Sequence, residues 1–154
     1  MNKVDKAIDL LISEDEPLFS NPLVFDDAWL DNNTEDWTRR PDGKIDVLGS
    51  IQFSSLNMDK IPYDFGKVSE GFYCSGNNLT SLEGSPEEVG EHFYCAFNKL
   101  TNLVGGPKKV EAWFDCGGNN ITSLEGAPEY IGRAFYCDQF DEKDYRQFIK
   151  ERDG

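Results

Sequence analysis

The sequence predicts a mainly β protein: a short solenoid of 21-residue coils with parallel strands, an N-terminal helix and hairpin cap, and a C-terminal helical cap. Three observations carry this. Cys74, Cys95, Cys116 and Cys137 each follow the last by 21 residues, and a fixed period of this length marks a repeat architecture. The same period holds for Phe72, Phe93, Phe114 and Phe135, for Leu82, Leu103 and Leu124, for Gly84, Gly105 and Gly126, and for Pro86, Pro107 and Pro128. Within each unit Phe-x-Cys alternates as a short strand with one buried face does, and Gly-x-Pro then turns the chain back.

A 21-residue unit cannot bury a core alone, so it must stack on its neighbours, with strands in parallel about 4.8 Å apart. Leu79, Leu100 and Ile121 form a further apolar column, and Val89, Val110 and Ile131 another. One period before the first cysteine, Phe53 stands in the cysteine column, with Ile51, Met58, Ile61 and Val68 in apolar columns; the Gly and Pro are missing, so this is a degenerate first coil. Asn77, Asn98 and Asn119 fall where the chain leaves the strand, and an amide there satisfies backbone groups that no regular ladder reaches.

Open solenoid ends expose apolar columns and strand edges and therefore need caps. Residues 1–48 are read as the N-terminal cap, 49–137 as the coils and 138–154 as the C-terminal cap, all one structural domain. Asn2 is placed to cap a helix over 3–13, with Val4, Ala7, Ile8 and Leu11 on one face. Pro17 and Pro22 end regular structure there, and the acidic stretch 14–36 is read as irregular. Pro41-Asp42-Gly43, between Trp37-Thr38-Arg39-Arg40 and Ile45-Asp46-Val47, is a hairpin signal, since Gly accepts the positive φ that a tight turn needs. Asp141 starts a short helix in which Tyr145, Phe148 and Ile149 form an apolar strip closing the stack.

A chain of 154 residues, 38% apolar, suits one domain, and 13% aromatic content argues against disorder. Its 15 Lys and Arg against 29 Asp and Glu leave a net charge of −14, which repels phosphate backbones and anionic headgroups. Neither direct nucleic-acid binding nor membrane-surface binding is expected. No apolar run approaches the roughly 20 residues of a bilayer span, and Asp5 and Asp9 interrupt the first residues, so no signal peptide or membrane anchor is expected.

The segment Phe93-Tyr-Cys-Ala-Phe-Asn98-Lys-Leu100 resembles the leucine-rich-repeat pattern Leu-x-Leu-x-x-Asn-x-Leu, with Phe and Cys in place of two leucines. Its length and return-side Pro resemble the short bacterial class of these repeats. More narrowly, Asn77-Asn-Leu-Thr-Ser-Leu-Glu-Gly-Ser-Pro86 and Asn119-Asn-Ile-Thr-Ser-Leu-Glu-Gly-Ala-Pro128 are similar to small repeat proteins of unassigned function encoded by tailed bacteriophages. The resemblance covers about residues 42–137. It implies a leucine-rich-repeat-like binding scaffold and carries over no catalytic residue.

The residues that could carry chemistry do not converge. Four thiols in a column rising about 4.8 Å per coil cannot close on one tetrahedral ion with bonds near 2.3 Å, and parallel side chains in the core suit free thiols better than disulfides. Reduced thiols point to the cytoplasm, where the sequons at Asn32, Asn78 and Asn120 stay unglycosylated. His92, the only histidine, lies three residues from Cys95 and so on the opposite strand face. Glu87 and Glu88 belong to a solvated return side. Asp31-x-Asn33-x-Glu35 starts like a calcium loop, but Asp36 stands where Gly is needed and Asp42 where Glu is needed. Gly105-Gly106-Pro107 is a repeat turn, with no helix behind it to make a phosphate cradle. No metal, cofactor or enzymatic activity is expected.

Function is expected on the outward face of the Phe-x-Cys strands, usually the concave one. Its columns read Gly71, His92, Trp113, Ala134; then Tyr73, Tyr94, Asp115, Tyr136; then Ser75, Ala96, Gly117, Asp138. Large aromatics carry interface energy out of proportion to their number, and the small third column leaves room for a partner. The expected partner-binding residues are Tyr73, His92, Tyr94, Phe97, Trp113, Asp115 and Tyr136, and the expected role is a non-enzymatic protein-interaction module whose partner is a protein, one of the host if the chain is phage-encoded. An alternative from another class is an acidic decoy that blocks a nuclease or nucleic-acid-binding protein by charge mimicry, centred on Asp26, Asp27, Asp31, Glu35 and Asp36. Oligomeric state is left open by the sequence.

Overall fold

The computed structural model describes residues 23–153; the helix expected over 3–13 lies outside them. Helix α1 (Asp27–Asn33) leads to a hairpin of β1 (Asp36–Arg39) and β2 (Ile45–Leu48). Strands β3 (Ile51–Gln52), β4 (Phe65–Val68), β5 (Phe72–Tyr73), β6 (Glu88–Val89), β7 (Phe93–Tyr94), β8 (Lys109–Val110), β9 (Trp113–Asp115), β10 (Tyr130–Ile131) and β11 (Ala134–Tyr136) follow, and helix α2 (Glu142–Asp153) closes the chain.

Each coil contributes one short strand to each of two sheets. The first sheet runs β1-β2-β4-β6-β8-β10, parallel except for the β1–β2 hairpin, and the second runs β3-β5-β7-β9-β11, parallel throughout. The second sheet is the expected Phe-x-Cys sheet, in register at 21 residues: Phe72 pairs with Phe93, and Phe93 with Phe114. The return side is itself a ladder, with Val68, Val89 and Val110 in register. The degenerate coil is visible as a bulge, because Ile45 pairs with Phe65 but Val47 with Val68, so Gly66 and Lys67 oppose the single residue Asp46.

Apolar columns drive the stacking. Phe72, Phe93, Phe114, Cys74, Cys95, Leu79, Leu100 and Val110 are fully buried, and burying a side chain of the Leu or Phe class contributes roughly 1.5–3 kcal/mol. The phenylalanine rings lie one on the next, with centroids 5.3–5.9 Å apart and planes within 8°. Gly84, Gly105 and Gly126 hold φ of +94°, +87° and +86°, so the Gly-x-Pro column turns through a conformation that side chains disfavour.

The asparagine column is a buried ladder. Asn98 Nδ2 donates to the carbonyls of Cys74, Cys95 and Ala96 at 3.0, 3.1 and 3.3 Å, and its Oδ1 accepts from Leu79 N at 3.0 Å. Asn77 and Asn119 make the equivalent bonds one coil away.

Both ends are capped by aromatic rings. At the N-terminal end Trp29 and Phe25 pack on Phe53 at 5.0 and 5.5 Å, and Leu30 of α1 is fully buried. The stretch read as irregular therefore contains a helix; Asp26 Oδ1 caps it by accepting from Trp29 N at 3.0 Å. The hairpin turns as expected at Pro41-Asp42-Gly43, with Gly43 at φ +89°. At the C-terminal end Tyr145 stacks on Phe135 at 4.9 Å, and its hydroxyl donates to the Pro128 carbonyl at 2.7 Å.

Candidate functional site

The second sheet turns Phe72, Cys74 and their equivalents inward, so the residues between them form its outward face. Tyr73, Tyr94, Asp115 and Tyr136 stand side by side in one row across four strands. Tyr73 meets Tyr94 edge-on at 5.4 Å, and His92 stacks on Tyr94 at 5.4 Å with planes 19° apart. Tyr73, Tyr94, His92 and Asp115 are half-buried, whereas Trp113 and Tyr136 are 45% and 54% exposed. The His92 Nδ1 is buried without a hydrogen-bond partner among the described residues.

The rings lie down on the sheet rather than standing off it. A Cβ on Gly71 would strike the Tyr73 hydroxyl, and one on Gly117 would come within 2.6 Å of the Tyr136 ring. The room expected at Gly117 is thus occupied by Tyr136. At the neighbouring position Ser75 Oγ accepts from Ala96 N at 3.1 Å, tying that column into the fold.

Phe97 stands just past β7 under backbone strain. Ser55, Gly76, Phe97 and Gly118 form one column at 21-residue spacing, all at φ between +55° and +71°. Phe97 carries a large side chain where two of the four positions have glycine, its ring covers Gly118, and it is 70% exposed.

Carboxylates border the rings. Burial raises the Tyr73 hydroxyl above its ordinary value, and the charges of Glu91 and Glu70 add to the effect. Tyr136 is raised chiefly by the charge of Asp138 and a hydrogen bond to it. Asp138 also accepts from Gly118 N at 2.7 Å, and Asp115 Oδ1 from Gly117 N at 2.8 Å. Among the described residues Glu70, Glu91, Asp115 and Asp138 have no ion pair. The sequence signal for this border was available: Glu70 and Glu91 stand one period apart at the bend into the sheet.

The outward row of the first sheet differs. There Asp46, Lys67, Glu88, Lys109 and Tyr130 follow one another across the strands. Lys67 meets Glu88 at 3.5 Å, Lys109 meets Glu111 at 3.0 Å, and Lys109 lies 5.8 Å from the Tyr130 ring. At the row's head Arg40 reaches Asp46 at 2.8 Å, and Lys44 reaches Glu87 at 3.1 Å.

The acidic residues of the N-terminal cap are largely engaged in it. Asp26 caps α1, Asp27 pairs with Arg39 at 2.7 Å, and Asp31 accepts from the Trp37 indole at 2.9 Å. Glu35 and Asp36 are exposed, Asp36 also accepting from Trp37 N at 2.9 Å. A cleft of about 640 Å³ lies between the hairpin and the second coil, where Arg39, Lys60, Asp59, Asp64 and Glu83 mix both signs of charge.

All four cysteines are buried and free. Burial pushes the Cys74 and Cys95 thiols well up, while Cys116 Sγ donates to the Tyr136 carbonyl at 3.4 Å and Cys137 Sγ to Gln139 Oε1 at 3.6 Å. Among the described residues no group of three or more His, Cys, Asp or Glu side chains could hold a metal ion, and no helix is long and apolar enough to cross a membrane.

No family model, no curated protein and no solved structure matches the chain.

Proposed function

We propose that this β-solenoid is a non-enzymatic interaction module that docks a protein partner on the outward face of its second sheet, through Tyr73, His92, Tyr94, Phe97, Trp113, Asp115 and Tyr136. The contrast between its two faces carries the reading. The same coils expose both rows to water, so exposed-strand propensity acts on both alike, yet one row is filled by paired charges and the other by aromatic rings. A strained Phe97 that stays largely exposed although its ring lies over Gly118 adds to it, since backbone strain gathers at functional positions.

The four buried free thiols suit a cytoplasmic setting, and the resemblance of the repeat to small phage-encoded repeat proteins suits a host protein as partner. The test is affinity capture from bacterial lysate with the wild type, a Trp113→Ala/Tyr94→Ala variant and a Glu35→Gln/Asp36→Asn variant, washed at low and high salt. The reading requires a partner lost with the aromatic change and retained in salt. A partner lost instead with the acid change and with salt establishes the decoy.

A further inference from the structure

Resting on that reading, the geometry points to the chemistry of the partner: we infer that Asp115, bracketed by Tyr94 and Tyr136, seats the guanidinium of an arginine on an extended segment of the partner protein.

Strand register sets Asp115 directly between the two tyrosines, one on β7 and one on β11, each about 4.8 Å away across the sheet. Trp113 stands two residues before it on the same strand and face, and is 45% exposed. A half-buried carboxylate thus stands in the row between two tyrosines. One of its oxygens is engaged by Gly117 N, and among the described residues no cation meets it.

This departs from how the molecule treats the charges of its first sheet, where one pair bridges adjacent strands and the other joins residues two apart along one strand. On the first sheet Lys67 has Glu88 and Lys109 has Glu111. On the second sheet Asp115, Asp138, Glu70 and Glu91 border the rings without a counter-charge among the described residues. Carboxylates beside aromatic faces are complementary to a cation, and a guanidinium suits them better than an ammonium. Its plane stacks on the rings while its fork of N–H donors engages the carboxylate, whereas lysine presents a compact, strongly hydrated charge. The net charge of −14 draws such a segment in and repels acidic ones.

The experiment titrates ¹⁵N-labelled protein with the acetylated, amidated peptide Ser-Arg-Ser-Arg-Ser-Arg-Ser, with its lysine counterpart and with its citrulline counterpart, which keeps the shape and removes the charge. The expected result is shifts centred on Tyr94, Asp115, Tyr136 and the Trp113 indole, binding weakened about threefold by lysine and abolished by citrulline. Asp115→Asn keeps an oxygen for Gly117 N and is expected to weaken binding at least about fivefold. Tyr136→Ala, at an exposed position, should weaken it comparably. Glu35→Gln makes the same change of net charge in the N-terminal cap and should leave it within about twofold.

Shifts centred elsewhere, citrulline binding as well as arginine, or Glu35→Gln weakening as much as Asp115→Asn would each overturn the inference. If the arginine peptide fails while Trp113→Ala/Tyr94→Ala still abolishes partner capture, the guanidinium seat falls and the docking face stands. Failure of both removes the face as well.

Discussion

Gln139 Nε2 donates to the Asn119 carbonyl at 2.8 Å while its Oε1 accepts from Ile121 N at 3.2 Å. Ile121 N corresponds to Leu79 N and Leu100 N, which bond the asparagine of the following coil. Gln139 therefore supplies the last rung of the ladder from one residue before the expected position, where Phe140 stands. Gln139→Ala is expected to cost about 1–2 kcal/mol in urea unfolding, because it orphans one donor and one acceptor at the end of the ladder.

An interior rung should matter more. Asn98→Leu leaves three carbonyls and the Leu79 amide without that partner in the buried bend, and a loss of about 3–5 kcal/mol is expected in the same experiment.

Phe97→Gly should stabilise the fold by about 1 kcal/mol, since glycine accepts the φ of +55° that Phe97 strains to hold. The same substitution should weaken capture of the partner. A rise in melting temperature together with unchanged capture would remove Phe97 from the docking face.

Stability should fall in acid, partly through the hairpin. Burial resists ionisation of Asp46, but hydrogen bonds from Arg40 and Lys67 N hold its carboxyl below the usual range. Glu87 is lowered too, first by its hydrogen bond from Lys44 and further by Arg40. Carboxylates depressed in the folded state stabilise it above their unfolded values of about 4 and lose that contribution as pH falls through the folded ones. Arg40→Met should therefore lower the urea midpoint at pH 7, and the gap from wild type should narrow towards pH 3.

Of the four thiols, Cys137 should be alkylated first by a small reagent in the native state at pH 7, because it lies in the last coil and is 8% exposed where the other three are 0%, and burial pushes Cys74 and Cys95 up. Peptide mass spectrometry after timed labelling reads the order. In denaturant the four should react alike.

The 21-residue period made the Phe-x-Cys sheet legible, and with it the residues that share its outward face, because alternation along a strand is purely local. The second ladder was harder to see: β6, β8 and β10 are two residues each, too short for any alternation to register. Helix α1 escaped notice because seven residues carry little periodicity, and what holds it is tertiary, Trp29 and Leu30 packing on the first coil. Gln139 was hidden because it breaks the period. The lie of Tyr136 over Gly117 depends on a rotamer, which spacing alone does not specify.

The ring column from Phe72 to Phe135 ends on Tyr145, whose hydroxyl turns to the Pro128 carbonyl. That final ring recognises only the coil beneath it, and α1 at the other end recognises only Phe53 and its surroundings. Among the described residues neither cap measures how many coils lie between. A duplicated 21-residue cassette would slide in as another course in a wall, lengthening both exposed rows by one residue and leaving the end pieces unaware of it. The height of the molecule is a separate variable from its fold, open to adjustment by whole-unit duplication without redesign of either end.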